Sequence, residues 1–359
     1  MKKLKKILSI VLCAAFLLSA LTACGGASSS SQSSSAGTDG SGSTSSSSES
    51  SSAADSTSSS SQPDSTEAKK VTIGLIQLME HPSLDEIRTA IEAELNAKAA
   101  ENGLEIAIDY KSGQNDPSTI NSICQQFVGD KVDAIIAIAT PAAQGAATAA
   151  AGTDIPIVFS AVTDPIAAGL VENMDAPEGN ITGTSDDIPV EKIFDLASEL
   201  TPDVKSFGLI YNAGEDNSVS VMEKTKAYLD SKGLTYTEAT VAGTGDVQTA
   251  AQSLLSSCDA MFVPIDNTVA SAMSVLANEA INAKKPVYTA ADSLVNDGGL
   301  ATVGVNYTNL GTQTADMALK ILTGTPVSEV PVEVLKDNAI VVNTETAEAI
   351  GVDVSKYAK

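Results

Sequence analysis

A short pattern written twice constrains the fold of this chain more than any other feature. Gly74 in Ile73-Gly74-Leu75-Ile76 recurs as Gly208 in Phe207-Gly208-Leu209-Ile210, 134 residues later. Gly103 recurs as Gly233 after 130 residues, Asp133 as Asp259 after 126, and Pro156 as Pro286 after 130. Between these landmarks, short β-branched runs alternate with longer amphipathic or Ala-rich ones, as in βα units built around a parallel sheet. The first series predicts strands at 71–76, 104–109, 134–139 and 156–160, with helices at 83–101, 117–129 and 142–151. The second predicts strands at 206–211, 235–241, 260–263 and 286–289, with helices at 217–231, 246–257 and 268–283. The expected fold class is therefore α/β, with two similar doubly wound parallel-sheet lobes facing each other. Residues 71–187 with about 306–330 form the first lobe, and 190–305 form the second. Thr184 to Val190 and Gly304 to Thr308 are the expected crossovers, Leu310 to Leu322 is a further helix, and 331–359 supply edge elements.

The repeat begins only after a long preamble. Lys2, Lys3, Lys5 and Lys6 precede an apolar run from Ile7 to Leu21, the layout of a secretory signal over residues 1–23. As a helix this run spans roughly 22 Å, short of the ~30 Å hydrocarbon core that a transmembrane anchor must cross. Leu21-Thr22-Ala23-Cys24 resembles the lipobox of bacterial lipoproteins, which implies a lipid on Cys24 and a place on the outer face of the cytoplasmic membrane. Residues 24–66 are then mostly Ser, without one large apolar side chain. Such a segment cannot bury a core and reads as a flexible tether, with a reach of roughly 31–37 Å.

Composition removes several function classes. With 45 acidic against 21 basic side chains and a formal charge of −24, the chain repels phosphate, so no nucleic-acid partner is expected. One His and four Cys are too few for a three-histidine zinc site or a disulfide-dense scaffold, a four-cysteine site would need every Cys in the chain, and no metal or cofactor is expected. Cys124 and Cys258, without a nearby Cys partner, read as buried thiols. No phosphate-cradling Gly-Lys-Ser/Thr loop occurs, and Gly-x-Gly-x-x-Gly is missing after the first strand. Any imidazole chemistry must pass through His81, which has no nucleophile near it in sequence.

In open parallel sheets the ligand lies beyond the carboxyl ends of the strands, so the informative residues follow each strand. The first lobe offers Gln77 and His81, then Thr140 and Ala142, then Ser160, Val162, Thr163 and Asp164. The second offers Asn212, Glu215 and Asn217, then Asp266 and Asn267, then Asp292. Hydroxyls and helix-start amides at Thr140, Ser160 and Thr163 suit a carboxylate; Asp266 and Asp292 suit an ammonium group. Together they fit a zwitterion, although each of these polar residues also serves as an ordinary helix cap.

The segments Ile73 to Gln77, His81-Pro82-Ser83-Leu84-Asp85, Ala139-Thr140-Pro141-Ala142-Ala143-Gln144, Phe159 to Pro165, Tyr211-Asn212 with Glu215 and Asn217-Ser218, and Asp266-Asn267 resemble the substrate-binding lipoproteins of ABC transporters in the tryptophan- and tyrosine-binding group. The resemblance covers about Val71 to Val354. It implies a type I periplasmic-binding fold of two lobes joined by three crossovers, which close over a small amino acid and deliver it to an ABC permease and its ATPase. It also implies that the ligand carboxylate meets loops at Thr140 and Ser160 to Thr163, and that its amine meets loops at Asp266 and Asp292. With no Trp in the chain, the wall for an aromatic side chain falls to Tyr211, Phe159 or Tyr307. The competing readings are a surface enzyme working through His81 and a carboxylate such as Asp164, and a receptor of the same fold sensing a sugar or nucleoside.

Overall fold

The computed structural model describes residues 68–336 and 338–358, so the signal-like run, Cys24 and the Ser-rich segment lie outside the described residues. The first half runs β1 (Lys69–Gln77), α1 (Pro82–Lys98), β2 (Leu104–Ser112), α2 (Pro117–Asp130), β3 (Ala134–Ile138), α3 (Thr140–Ala149), β4 (Ile157–Ser160), β5 (Ile181–Ser185). The second runs α4 (Val190–Leu200), β6 (Ser206–Tyr211), α5 (Asp216–Lys232), β7 (Thr235–Thr240), α6 (Val247–Leu255), β8 (Ala260–Val263), α7 (Asn267–Ala270), α8 (Met273–Asn282), β9 (Val287–Thr289), α9 (Asp292–Asn296), β10 (Ala301–Gly304). The chain closes with α10 (Tyr307–Leu322), β11 (Glu333–Val334), β12 (Ala339–Val342) and α11 (Thr344–Ile350). Among the described residues no helix is long and apolar enough to cross a membrane.

Two six-stranded sheets result, ordered β11-β5-β4-β3-β1-β2 and β12-β10-β9-β8-β6-β7. All pairings are parallel except β12, which runs antiparallel to β10. Each repeated landmark does the same physical task in both lobes. Gly103 and Gly233 take left-handed φ of 66° and 67° to end the helical segments before β2 and β7. Asp133 accepts the Thr72 amide at 2.7 Å, and Asp259 accepts the amides of Lys205 and Ser206 at 3.0 and 2.9 Å, so each carboxylate pins the start of its central strand. The Pro156 and Pro286 carbonyls each open a pairing, to the Ile135 and Met261 amides at 2.9 Å. Gly74 and Gly208 let a helix approach the sheet: an added Cβ would meet the Phe127 ring at 2.6 Å in the first lobe and Leu254 Cβ at 3.1 Å in the second.

Differences from the expected elements have local causes. The single helix expected at 268–283 is broken at Ser271 and Ala272, because the amides of Asn267, Thr268 and Val269 are held by the Glu215 and Asp266 carboxylates while α8 packs against α6. Strand β5 and helix α4, which frame the first crossover, are additional to the expected elements, although β5 carries Ile181, Thr182 and Thr184 and α4 is amphipathic. The tail adds one short strand to each sheet, so the chain passes between the lobes a third time between β11 and β12. Helix α10 packs on α1, β4 and β5, which places it with the first lobe.

Candidate functional site

The strand ends of both sheets meet around a cavity with an empty volume of about 370 Å³. Its apolar lining is Leu84, Ile265, Ala270 and Leu294 with the small residues Ala139, Ala161 and Ala291, and its polar lining is His81, Ser83, Asp186, Asn217, Asp266, Asn267 and Tyr307. Sheet order gives it two ends, one beside the crossovers at β5 and β10, the other under β1 and β6.

At the crossover end stands Asp186, fully buried just past β5. Its Oδ1 accepts from Thr163 Oγ1 at 2.9 Å and its Oδ2 from Tyr307 OH at 3.3 Å, so each oxygen keeps acceptor capacity. Burial raises its pKa to about 6, against those two hydrogen bonds. Tyr307 presents the flat aromatic wall here. Above, β3 and β4 end in two non-glycine residues at positive φ, Ala139 at 79° and Ala161 at 56°. Both line the cavity, so backbone strain is concentrated where the chain turns out of the sheet. Ala139 also caps α3, whose first turn leaves amides without intrahelical partners, and Thr140 Oγ1 is buried there without a hydrogen bond.

On the facing lobe Asp266 is nearly fully buried. Its Oδ1 accepts the Val269 amide, and its Oδ2 the Asn212 amide and the Ser218 hydroxyl. Burial first, and the neighbouring Glu215 charge second, push its pKa up to about 7. Glu215 accepts from the Asn267 and Thr268 amides, from Asn267 Nδ2, Thr268 Oγ1 and Asn217 Nδ2, at 2.7–3.2 Å. It is the anchor of the whole loop. Across the cleft His81 Nε2 lies 3.2 Å from Asn267 Oδ1, and burial lowers the His81 pKa.

The lobes are closed. Besides His81 and Asn267, the cleft is bridged by Ser83 to Ser293 at 2.7 Å, Gln144 Nε2 to Asp216 at 2.8 Å, Ser220 to Asp164 at 3.1 Å and Ser271 Oγ to Met79 Sδ at 3.5 Å.

The profile of the ABC transporter substrate binding protein family matches residues 72–357. The chain belongs to that family. This binding protein is 37% identical over 286 residues to the tyrosine-binding protein of Clostridioides difficile, covering 79% of this chain and 82% of the relative. A Streptococcus pneumonia domain crystallised with L-Trp is 36% identical, with a TM-score of 0.75 over 80% of this chain and 96% of that one. A ligand-free, open structure of an adhesive substrate-binding protein from Clostridium difficile is 40% identical yet scores only 0.62, over 79% and 95%. A rotation between lobes lowers such a score without changing either lobe, which agrees with the closed arrangement found here. The fold is the type I periplasmic-binding one.

Of the residues singled out in sequence, this binding protein brings His81, Asn217, Asp266, Asn267 and Tyr307 to the cavity wall. Thr140 lies beside it, next to Ala139. The others stand behind or away from it. Ser160 bonds Thr314, Thr163 holds Asp186, Asn212 and Glu215 brace the Asp266 and Asn267 loop, and Val162 and Ala142 are buried in the first lobe. Gln77 donates to Met79 O and Asp85. Asp164 sits at the cleft rim on Ser220 and the Ala167 amide, and Asp292 bonds Asn306, one residue beyond the lining Ala291. Two aromatic candidates are corrected: Tyr211 turns its hydroxyl to Glu238 on β7, and Phe159 is sealed in the core against Gly183. Asp186 was missed; the Asp186-Asp187 doublet leaving a Thr- and Ser-rich strand was the available signal. Among the described residues no cluster of potential metal ligands occurs.

Proposed function

We propose that this chain captures an aromatic amino acid outside the cell and hands it to an ABC permease driven by its ATPase, held to the outer face of the cytoplasmic membrane by lipid on Cys24. The observation that carries the reading is the closed two-lobed cavity, with buried carboxylates facing a helix start and an aromatic wall beside them. Asp186 accepts the ligand ammonium, while the first turn of α3 and the free Thr140 hydroxyl receive its carboxylate. Tyr307, Leu84 and Leu294 pack against the ring. The tyrosine-binding relative and the L-Trp complex support an aromatic ligand. Binding without turnover fits His81, whose hydrogen bond goes to an amide, while Asp164, the cleft carboxylate of the enzyme reading, is engaged with Ser220 instead.

The test is thermal unfolding of the protein, refolded to strip bound ligand, against the common amino acids, sugars and nucleosides. A ligand at about a hundred times its Kd adds roughly 2.7 kcal/mol, seen as a raised midpoint. A rise confined to Trp, Tyr or Phe is expected. A rise only with a sugar or nucleoside would keep the fold and overturn the amino-acid reading.

A further inference from the structure

Resting on that reading, the hydrogen-bond wiring beneath the outer end of the cavity narrows the ligand further. Both oxygens of buried Glu215 already accept main-chain N–H groups, Oε1 that of Thr268 and Oε2 that of Asn267, so the side chain acts here as an acceptor and the Asn267 and Asn217 amide groups both turn their NH2 toward it. Asn217 Nδ2 also donates to the Ile265 carbonyl at 2.9 Å, which fixes the same orientation a second time. Two consequences follow. Asn267 Oδ1 is left facing His81, so Nε2 of the imidazole carries the proton and donates it. A neutral imidazole with its proton on Nε2 has a bare acceptor at Nδ1, and His81 Nδ1 is buried without a partner. Asn217 Oδ1 is likewise a buried acceptor without a partner. His81 and Asn217 are 6% and 3% exposed, and both line the cavity.

We propose that Glu215, acting through two locked amides, presents His81 Nδ1 and Asn217 Oδ1 as a pair of neutral acceptors that select a ligand whose aromatic ring itself carries a hydrogen-bond donor, a phenol O–H or an indole N–H. The ammonium group does not belong at this pair. A buried cation seeks a charged partner, and the open carboxylate is Asp186 at the opposite end. Neutral acceptors are left for a neutral donor, which a plain phenyl ring lacks. A phenyl side chain would bury both acceptors unpaired, and this predicts binding weaker by roughly tenfold to a hundredfold. Glu215 is a positioning residue in this scheme, since it touches the ligand only through Asn267, Asn217 and His81.

Two measurements test the proposal. Calorimetric titration of the stripped protein with L-Tyr, L-Trp and L-Phe should show L-Phe at least tenfold weaker than the better of the other two. In Glu215→Gln, whose side chain can donate and so frees the amides to turn, that ratio should fall toward one. Because His81 is the only histidine in the chain, its ring can also be read by 15N-histidine NMR on the unaltered protein, whatever the fate of the variant. The imidazole should be neutral with the proton on Nε2, and its Nδ1 resonance should move when L-Tyr or L-Trp binds. L-Phe binding within threefold of L-Tyr and L-Trp, or a proton on Nδ1, would overturn the wiring while leaving aromatic capture intact. Failure of all three amino acids to bind would overturn the aromatic reading itself.

Discussion

The two lobes share a scaffold and differ where their strands end. Gly74 and Gly208, Gly103 and Gly233, Asp133 and Asp259, Pro156 and Pro286 each do one job twice, so the sheets superpose in logic down to single hydrogen bonds. At the cleft the likeness stops. The first lobe offers strained backbone at Ala139 and Ala161, a helix start and a free hydroxyl. The second offers carboxylates and amides already hydrogen-bonded to one another around Glu215 and Asp266. One lobe is thus built to receive an anionic group through main chain, and the other is pre-organised through side chains. Scaffold positions are constrained by packing in both copies, whereas strand ends are free to diverge toward different parts of one ligand.

The largest expected effect tests the division between carboxylates that bind and carboxylates that build. Asp186→Asn should weaken aromatic amino-acid binding by about 2–3 kcal/mol, roughly thirtyfold or more in Kd by calorimetry, with little loss of stability. Asp266→Asn should lower the unfolding midpoint as well as the affinity, since Asp266 holds the Asn212 and Val269 amides. Equal stability of the two variants would erase the distinction.

Next in size is the shared glycine. Gly74→Ala drives a Cβ into the rigid Phe127 ring at 2.6 Å and should cost about 1–3 kcal/mol in urea unfolding. Gly208→Ala meets Cys258 Sγ at 3.0 Å and Leu254 Cβ at 3.1 Å, contacts that relax with a small shift, and should cost less. A reversed order would show that the second lobe is the more tightly packed.

The pH dependence has two opposite signs. Asp186 and Asp266 titrate at about 6 and about 7 in the folded protein, above an unfolded value of 3.8. Their protonated forms therefore favour folding most below pH 3.8, and that contribution fades as pH rises through 6 to 7. Ligand binding goes the other way, because an ammonium group prefers Asp186 ionised. Affinity should fall as pH drops from 7.5 to 5.5, and titrations in buffers of different ionisation enthalpy should show proton release on binding near pH 6. The smallest effect concerns closure. Removing the Gln144 to Asp216 bridge with Gln144→Ala should cost about 0.5–1 kcal/mol of closed-state preference, a few-fold in Kd, without touching the cavity wall.

Periodicity and turn residues made the repeat, the two lobes and nearly every central strand legible, because strands buried on both faces must be apolar and helix ends need Gly, Asp or Pro. Of the site, residues directly after a strand were legible as a class. Which of them reach the cavity was not, since Ser160, Thr163, Asn212 and Glu215 have the same chemistry as ligand contacts but turn their polar atoms to neighbouring helices and strand-end segments. Asp186 escaped because its importance comes from the crossover joining the lobes, a long-range feature with no local period. Cys24 and the tether lie outside the described residues and remain a proposal.

Closure around a ligand is the central claim, and small-angle X-ray scattering of the stripped protein with and without a saturating aromatic amino acid tests it most directly. A fall in the radius of gyration on binding is the predicted result. Calorimetrically proven binding with no change in the scattering curve would contradict capture by movement of the two lobes.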